Sequence, residues 1–168
     1  MTEYLIKKDH HYPNKIHWGI TFSNKMSYKI RFDESCLYDL HNVDNYDINK
    51  LFGFSTSWNH MRQSGRIGWR CLDGKTIQIC TYTHNNGMRQ IDDSDVLGNV
   101  LPGELFYCDI VAKKNKFVYT FRKATEKEET IRTDTKNRNE LFIHYLLHVY
   151  FGGNEGAPHE MKIFMEKI

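Results

Sequence analysis

The sequence has no marked excess of charge of either sign. Lys and Arg number 23 and Asp and Glu number 21 among 168 residues, so the formal net charge is only +2. A protein that binds nucleic acid or an anionic membrane through its charge carries a basic surface, which this balance does not supply. The composition therefore argues against a nucleic-acid partner and against a membrane partner.

Long hydrophobic runs are missing as well. No stretch of about 18 uncharged apolar residues occurs that would cross a bilayer as a helix. The N-terminal stretch TEYLIKKDHH has no apolar segment of the kind that a secretory leader contains. We therefore expect a protein that stays in the cytosol where it is made, or that is packed into a virion assembled there.

Cysteine is scarce, and its positions do not suggest a cross-linked or metal-binding framework. Cys36, Cys71, Cys80 and Cys108 form no CxxC pair, and each lies in or near an apolar run. Disulfide scaffolds and zinc sites use evenly spaced or closely paired cysteines. We interpret the four as reduced core residues, and we expect neither a cofactor nor a bound metal.

Aromatic residues, in contrast, are plentiful at 14% of the chain. They are typical of strands, and short segments of alternating apolar and polar residues recur along the sequence, separated by turn pairs such as Asp73-Gly74. This pattern predicts one all-β domain over residues 1–168, an antiparallel β-sandwich of jelly-roll-like type, with residues 1–16 as a candidate N-terminal arm. The predicted strands span residues 18–22 and 28–32 (joined as a hairpin near 23–25), 51–56, 67–71, 76–83, 105–111, 117–122 and 130–133.

The charged segment at residues 123–140 contains one large apolar residue, Ile131. Such a composition is typical of a solvated loop or an exposed edge strand.

The segment LFIHYLLHVYF at residues 141–151 fits two interpretations. As a helix, it places His144 and His148 one turn apart, a spacing that can chelate a metal. As a strand, it places alternate apolar residues from Leu141 to Phe151 on one face, and the two histidines lie roughly 13 Å apart, too far to share a metal. The strand accounts for more of the apolar residues, so we expect a strand and no metal site.

The segment RIGWRCLDGKTIQICTYTH predicts a hairpin whose register can be derived. A two-residue turn at Asp73-Gly74 would mix polar and apolar side chains on both faces. A three-residue turn over 73–75, in which Gly74 adopts a positive φ, instead produces one coherent apolar face. The predicted pairs are Cys71–Ile77, Trp69–Ile79 and Ile67–Thr81.

The other face of this hairpin is the best candidate for a binding site. Arg66 and Arg70 flank a glycine and stand opposite Tyr82 and Gln78, so the face offers forked donors and an aromatic ring. Such a surface suits a sugar, a carboxylate or a partner protein. The alternative is a solvated face on which the arginines pair with acids. His84 and Arg89, which follow in the sequence, are further candidates for contacts on this face.

The stretch YFGGNEGAPHEMKIFM, residues 150–165, places glycines and a Pro-His pair between two apolar segments. These residue types are typical of a tight connection, so we expect the loop to bring two sheets or edges close together. Asn154 and His159 are further candidates for ligand contacts at the rim of the sandwich.

The sequence has no GxSxG and no HExxH motif, and the glycines at 152–156 lack the GK[ST] continuation of a phosphate-binding loop. Asp92, Asp93 and Asp95 supply carboxylates of the kind that glycoside hydrolysis uses, but we interpret their loop as an exposed turn. His17 and His60 lie near tryptophans and could serve in acid-base chemistry, although lone histidines are more often structural. We assign no catalytic residue.

Three motifs resemble a poorly characterised family of small jelly-roll-like β-sandwich domains from gut bacteria and their phages. They are an Arg-x-Gly-Trp-Arg hairpin at residues 66–70, a tyrosine-to-glycine turn region at 82–87, and the signature at 150–159. The resemblance covers the later part of the chain and leaves the first 50 residues uncovered. It implies the sandwich fold and no particular activity, because such folds serve many functions.

The function we expect is a non-enzymatic module that binds a glycan or a protein surface, such as an accessory or structural protein of a phage particle. The alternative is a carbohydrate-active enzyme, a lyase or a hydrolase, that uses His, Tyr and Arg on the same concave face. A third hypothesis is a homo-oligomer that buries this face against copies of itself. Clustering of Arg66, Arg70, Tyr82, His84 and a further histidine within hydrogen-bond reach of one point would favour the enzyme, and a flat, exposed arrangement would favour binding.

Overall fold

Two antiparallel sheets packed face to face form the protein, which confirms the predicted all-β sandwich. The structure is a computed structural model that describes residues 1–16, 19–90, 95–135 and 143–168. Within these ranges, the only helical segments are two short 3-10 turns, Glu34–Cys36 and Val43–Tyr46. No helix in the described ranges has the length and apolar character needed to span a bilayer.

The strands are numbered in chain order. The first sheet consists, in spatial order, of β1 (Thr2–Ile6), β13 (Met161–Lys167), β3 (Lys25–Phe32), β9 (Leu105–Lys113), β10 (Lys116–Lys123) and β11 (Thr130–Thr135). The second sheet consists of β2 (Ile20–Thr21), β12 (His144–Leu147), β4 (Asn49–Ser55), β5 (Gln63–Cys71), β6 (Ile77–Asn85) and β7 (Met88–Gln90), with β8 (Val96–Val100) paired to β6 as well. Strand β11 is an edge strand, as predicted for the charged segment, and residues 136–140 of that segment lie outside the described residues.

The core lies between the two sheets and is rich in aromatic rings. Trp69 of β5 is fully buried and packs against Phe32 of β3 with ring centroids 5.0 Å apart. Tyr38 and Phe151 meet the same indole edge-on, with centroids at 5.7 Å and 6.2 Å. All four cysteines are buried and unpaired, which confirms their interpretation as reduced core residues.

The hairpin of β5 and β6 has the predicted register. Trp69 pairs with Ile79, Ile67 with Thr81, and Cys71 with Ile77. Gly74 in the connecting turn has φ +66°, the left-handed conformation that the three-residue turn requires. Ile67 and Trp69 therefore face the core, while Arg66 lies on the outer face of the second sheet.

The predicted hairpin between residues 18–22 and 28–32 is wrong. Strand β2 pairs with β12 in the second sheet, whereas β3 pairs with β13 and β9 in the first. The chain crosses between the sheets at 22–24, because each of the two strands pairs with strands far away in the sequence. His17 and Trp18 lie outside the described residues.

The predicted strand at 141–151 is only partly correct. Strand β12 covers His144–Leu147, and residues 141–142 lie outside the described part of the chain. The unbroken apolar face is wrong, because His144 points inward, where it is buried and stacks on Phe54 at 5.0 Å. The alternation shifts after the strand, so that Val149 and Phe151 also enter the core.

The glycine-rich connection at 150–158 packs against the N-terminal segment. Asp9 N donates to Ala157 O at 2.8 Å, and Ala157 N donates to His10 O at 3.0 Å. A Cβ atom at Gly156 would lie 2.6 Å from the Asp9 carbonyl carbon, so only glycine permits this approach. The predicted close approach of two chain edges is therefore present, and the partner of the connection is the segment that follows β1.

Candidate functional site

The candidate site lies on the outer face of the second sheet, where side chains from neighbouring strands form rows. Arg66 of β5 pairs with Tyr82 of β6 and with Gly53 of β4, and Gly53 pairs in turn with Leu147 of β12. Paired residues on adjacent antiparallel strands point to the same side of a sheet. Arg66 and Tyr82 therefore lie side by side on this face.

A cleft of about 500 Å³ lies over this row. Strands β4, β5, β6 and β12 form its floor, and the walls come from the β4–β5 connection, the N-terminal segment and the loop after β12. We call it the cationic cleft. Its lining residues are Tyr12, Lys50, His60, Met61, Arg66, Tyr82, His84, Leu146, Leu147, His148, Tyr150, Gly152 and Gly153.

Lys50 is a buried cation between two aromatic rings. Its Nζ lies 4.7 Å from the centroid of Tyr82 and 5.4 Å from that of Tyr150, and it donates to Gly152 O at 2.9 Å. Burial lowers the pKa of Lys50 to about 8, the positive charges of Arg66 and Arg89 lower it further, and Asp47 opposes the shift. Lys50 is therefore a cation at neutral pH and can lose its proton at a slightly higher pH.

Arg66 is the central cation of the cleft. Its Nε is buried and has no hydrogen-bond acceptor among the described residues. Burial lowers the pKa of Arg66 to about 10, although the neighbouring phenols of Tyr82, Tyr12 and Tyr150 raise this pKa. No carboxylate of the described residues pairs with this guanidinium, whereas buried arginines normally have such a partner.

His84 and Arg89 both contact the ring of Tyr82. The guanidinium of Arg89 lies 4.7 Å from the Tyr82 ring centroid, and its buried Nε also lacks an acceptor within the described ranges. Burial lowers the pKa of His84 to about 4, and the charge of Arg66 acts in the same direction. Burial and Arg66 likewise lower the pKa of His60. The histidines are thus neutral hydrogen-bonding groups at neutral pH.

The structure brings together half of the predicted site residues. Arg66, Tyr82 and His84 line the cationic cleft, and Arg89 lies over the ring of Tyr82, whereas the other four predicted residues contact neither. Arg70 Nε donates to Gln78 Oε1 at 3.0 Å, Asn154 is exposed, and His159 Nε2 contacts Ser35 O at 2.8 Å.

The space over Gly68, the glycine between Arg66 and Arg70, is filled. A Cβ atom at Gly68 would lie 2.3 Å from Ile48 Cγ2, so β4 and the residue before it cover this glycine. The two arginines therefore belong to separate surroundings, and only Arg66 faces the cleft.

Sequence reasoning missed Lys50 and Tyr12. Every residue of β4 is buried, and a lysine inside such a strand is the signal that could have identified Lys50 as a functional candidate. Tyr12 offered no comparable signal. It stands edge-on to Tyr150 at 5.1 Å, a contact between opposite ends of the chain.

Among the other chemical candidates that the structure describes, His60 lines the cationic cleft and Asp95 does not. Asp95, expected in an exposed turn, is buried and pairs with Arg132 at 3.2 Å, while Asp92 and Asp93 lie outside the described residues. Within the described ranges, no three His, Cys, Asp or Glu side chains lie close enough together to hold a metal ion.

Comparison with known proteins identifies the fold. No family profile and no curated protein sequence matches the chain. An alginate lyase from Klebsiella pneumoniae is 10% identical, with a TM-score of 0.57 over 86% of this chain and 59% of its own. A xylan beta-1,4-xylosidase from Bacillus halodurans C-125 is 6% identical, with a TM-score of 0.52 over 94% of this chain and 28% of its own.

A functionally unknown protein from Saccharomyces cerevisiae is similar over nearly the whole of both chains. It is 9% identical, with a TM-score of 0.52 over 99% of this chain and 87% of its own. The chain thus spans less than two thirds of the lyase and of the xylosidase. At such low identities, the likeness shows the sandwich fold alone.

Proposed function

We propose that this protein binds an acidic glycan in the cationic cleft. The observation that carries the proposal is the buried Nε of Arg66, which has no acceptor among the described residues. A buried cation without a partner destabilises the folded state, and such a cost is typical of a site that a ligand completes. A carboxylate would accept from this guanidinium in the forked geometry that arginine favours.

The other walls of the cleft favour a sugar as the carrier of that carboxylate. Tyr12, Tyr82 and Tyr150 combine ring faces with hydroxyl groups, and the neutral His84 adds a hydrogen-bonding edge. Ligand sites typically combine such aromatic surface with a few placed polar groups. A flat protein partner would leave the cleft unfilled.

Direct titration tests this function. Isothermal calorimetry with alginate and polygalacturonate should show saturable binding that weakens as salt is added, because the charges that attract the ligand are screened. Neutral xylan and a neutral glucan serve as matched controls and should bind much more weakly. Equal affinity for acidic and neutral polymers, or no binding at all, would reject the proposal.

The same titration has a defined pH dependence. The pKa of Lys50 is about 8, so its charge is present at neutral pH and is lost as the pH rises through that value. Affinity should therefore decrease from about pH 7 to about pH 9, and the complex should take up protons there because a bound anion favours charged Lys50. The pKa of His84 is about 4, so it stays neutral across this range. A flat profile would exclude Lys50 from the site.

Eliminative cleavage of the glycan is a second candidate function. The amine of Lys50, with its pKa of about 8, shares the cleft with Arg66 and the phenols of Tyr82 and Tyr150. In such an elimination, a base removes the proton next to the carboxylate and the bond to the neighbouring sugar oxygen breaks. That oxygen takes up a proton, and a carbon-carbon double bond remains. Lys50 or a tyrosine would act as base, while Arg66 would neutralise the carboxylate.

An ultraviolet assay separates cleavage from binding. Incubation with alginate or polygalacturonate would produce absorbance from the new double bond conjugated to the carboxylate. Lys50→Met would abolish this signal where Lys50 is the base and leave it where a tyrosine is the base. Saturable binding with an unchanged polymer length would instead support a module without catalytic activity.

The setting in a phage particle, which the sequence resemblance suggests, is a further proposal. A homo-oligomer that buries the outer face is another proposal. Light scattering with and without polyuronate would test it. An oligomer that dissociates when the polymer binds would show that copies of the chain compete for the cationic cleft.

A further inference from the structure

An exposed aromatic ring and a half-buried one lie side by side near the cationic cleft. Trp58, in the connection between β4 and β5, is 79% exposed, and its ring lies 5.4 Å from that of Tyr145 on β12, with 47° between the two planes. We call this pair the aromatic platform. An isolated apolar residue on a surface needs no explanation, but a paired Trp and Tyr at the edge of a cleft is typical of a ligand contact.

The strand register places the platform on the same face as the cleft. Tyr145 pairs with Ser55, which pairs with Ser64, which in turn pairs with His84. This row is next to the row that holds Arg66, and adjacent rows on one face of a strand are about 7 Å apart. The platform therefore continues the floor of the cationic cleft.

The platform and one wall of the cleft belong to the same chain segment. On the platform side, the connection that carries Trp58 also supplies His60 and Met61 to the wall of the cleft. A polymer held at Arg66 that extends along this side of the face therefore passes Trp58 and Tyr145.

We infer that Trp58 and Tyr145 form a second sugar-binding position, which holds a neighbouring ring of the same acidic glycan outside the cleft. The inference rests on the proposed function. The apolar C–H face of a pyranose ring packs on an aromatic ring, and its hydroxyl groups remain in solvent, so the position needs no charge of its own. The charged group is bound at Arg66, and the platform adds affinity only for ligands long enough to reach it.

A length series of oligouronates tests this inference. For Trp58→Ala, calorimetry should show unchanged affinity for a disaccharide and a loss of about 3- to 10-fold for a hexasaccharide. Trp58→Phe should restore most of the affinity, because a phenyl ring keeps the stacking face. Ile131→Ala is the matched control: Ile131 is also exposed, at 63%, but lies on the edge of the other sheet, and its removal should change neither affinity.

The outcomes separate the two proposals. If wild-type protein binds both oligomers and Trp58→Ala binds them as tightly, the second position is refuted and the acidic-glycan function stands. An equal loss for the disaccharide and the hexasaccharide would also refute it, since Trp58 would then act within the cleft. If wild-type protein binds neither oligomer, both proposals fail.

Discussion

Replacing Arg66 with methionine is expected to weaken the binding of polyuronates about 10- to 100-fold, since a hydrogen-bonded charge contributes about 1.5 to 3 kcal/mol. The same change should raise the free energy of unfolding by about 1 kcal/mol, because it removes a cation whose buried Nε has no acceptor among the described residues. Affinity and stability therefore move in opposite directions. Calorimetric titration and urea unfolding of the same variant measure the two effects.

Arg62→Met is the matched control for this prediction. Arg62 lies at the end of the β4–β5 connection, directly before the strand that carries Arg66; it is exposed and is absent from the lining of the cleft. Its replacement makes the same change in net charge, so a purely long-range electrostatic attraction would weaken equally in both variants. A marked loss of stability in Arg66→Met, or equal losses of affinity in the two variants, would contradict the role assigned to Arg66.

Replacing Trp69 with alanine is expected to destabilise the protein by about 3 to 5 kcal/mol, the usual loss for a large buried aromatic residue. The indole is fully buried and contacts Phe32, Tyr38 and Phe151, so its removal opens a cavity at the junction of both sheets. Urea unfolding followed by far-ultraviolet circular dichroism measures the change as a lower midpoint.

Two further tryptophan variants sharpen this prediction. Trp69→Phe should cost much less, because it keeps most of the packing and removes a buried Nε1–H that has no acceptor among the described residues. Trp58→Ala should change stability by less than about 0.5 kcal/mol, since its ring is exposed. If Trp69→Ala cost less than about 1 kcal/mol, the packing of the indole between the sheets would be refuted.

The β5–β6 hairpin shows how far sequence reasoning can reach. Only one register places Ile67 and Trp69 together with Ile79 on an apolar face, and a shift by one residue would expose all of them. The turn residues agree with that register, because Gly74 permits the positive φ that the loop needs. Register was predictable here because both determinants lie within one short segment.

The pairing of β2 and β3 shows where such reasoning ends. Both strands alternate and a short polar segment joins them, which is also the pattern of a hairpin. Their actual partners, β12 for β2 and both β9 and β13 for β3, are far away in the chain. A local pattern shows that a strand has an apolar face but not which sheet will cover it.

The sequence by itself determined the all-β class, the reduced cysteines and the face that carries Arg66 and Tyr82, because these follow from composition and from the two-residue period of a strand. Only the tertiary structure decided that Arg70 donates to Gln78 and that Lys50 and Tyr12 line the same cleft as Arg66. It also decided that the Nε of Arg66 has no acceptor among the described residues. The physical reason is that burial and charge compensation depend on neighbours from distant parts of the chain, which periodicity does not encode.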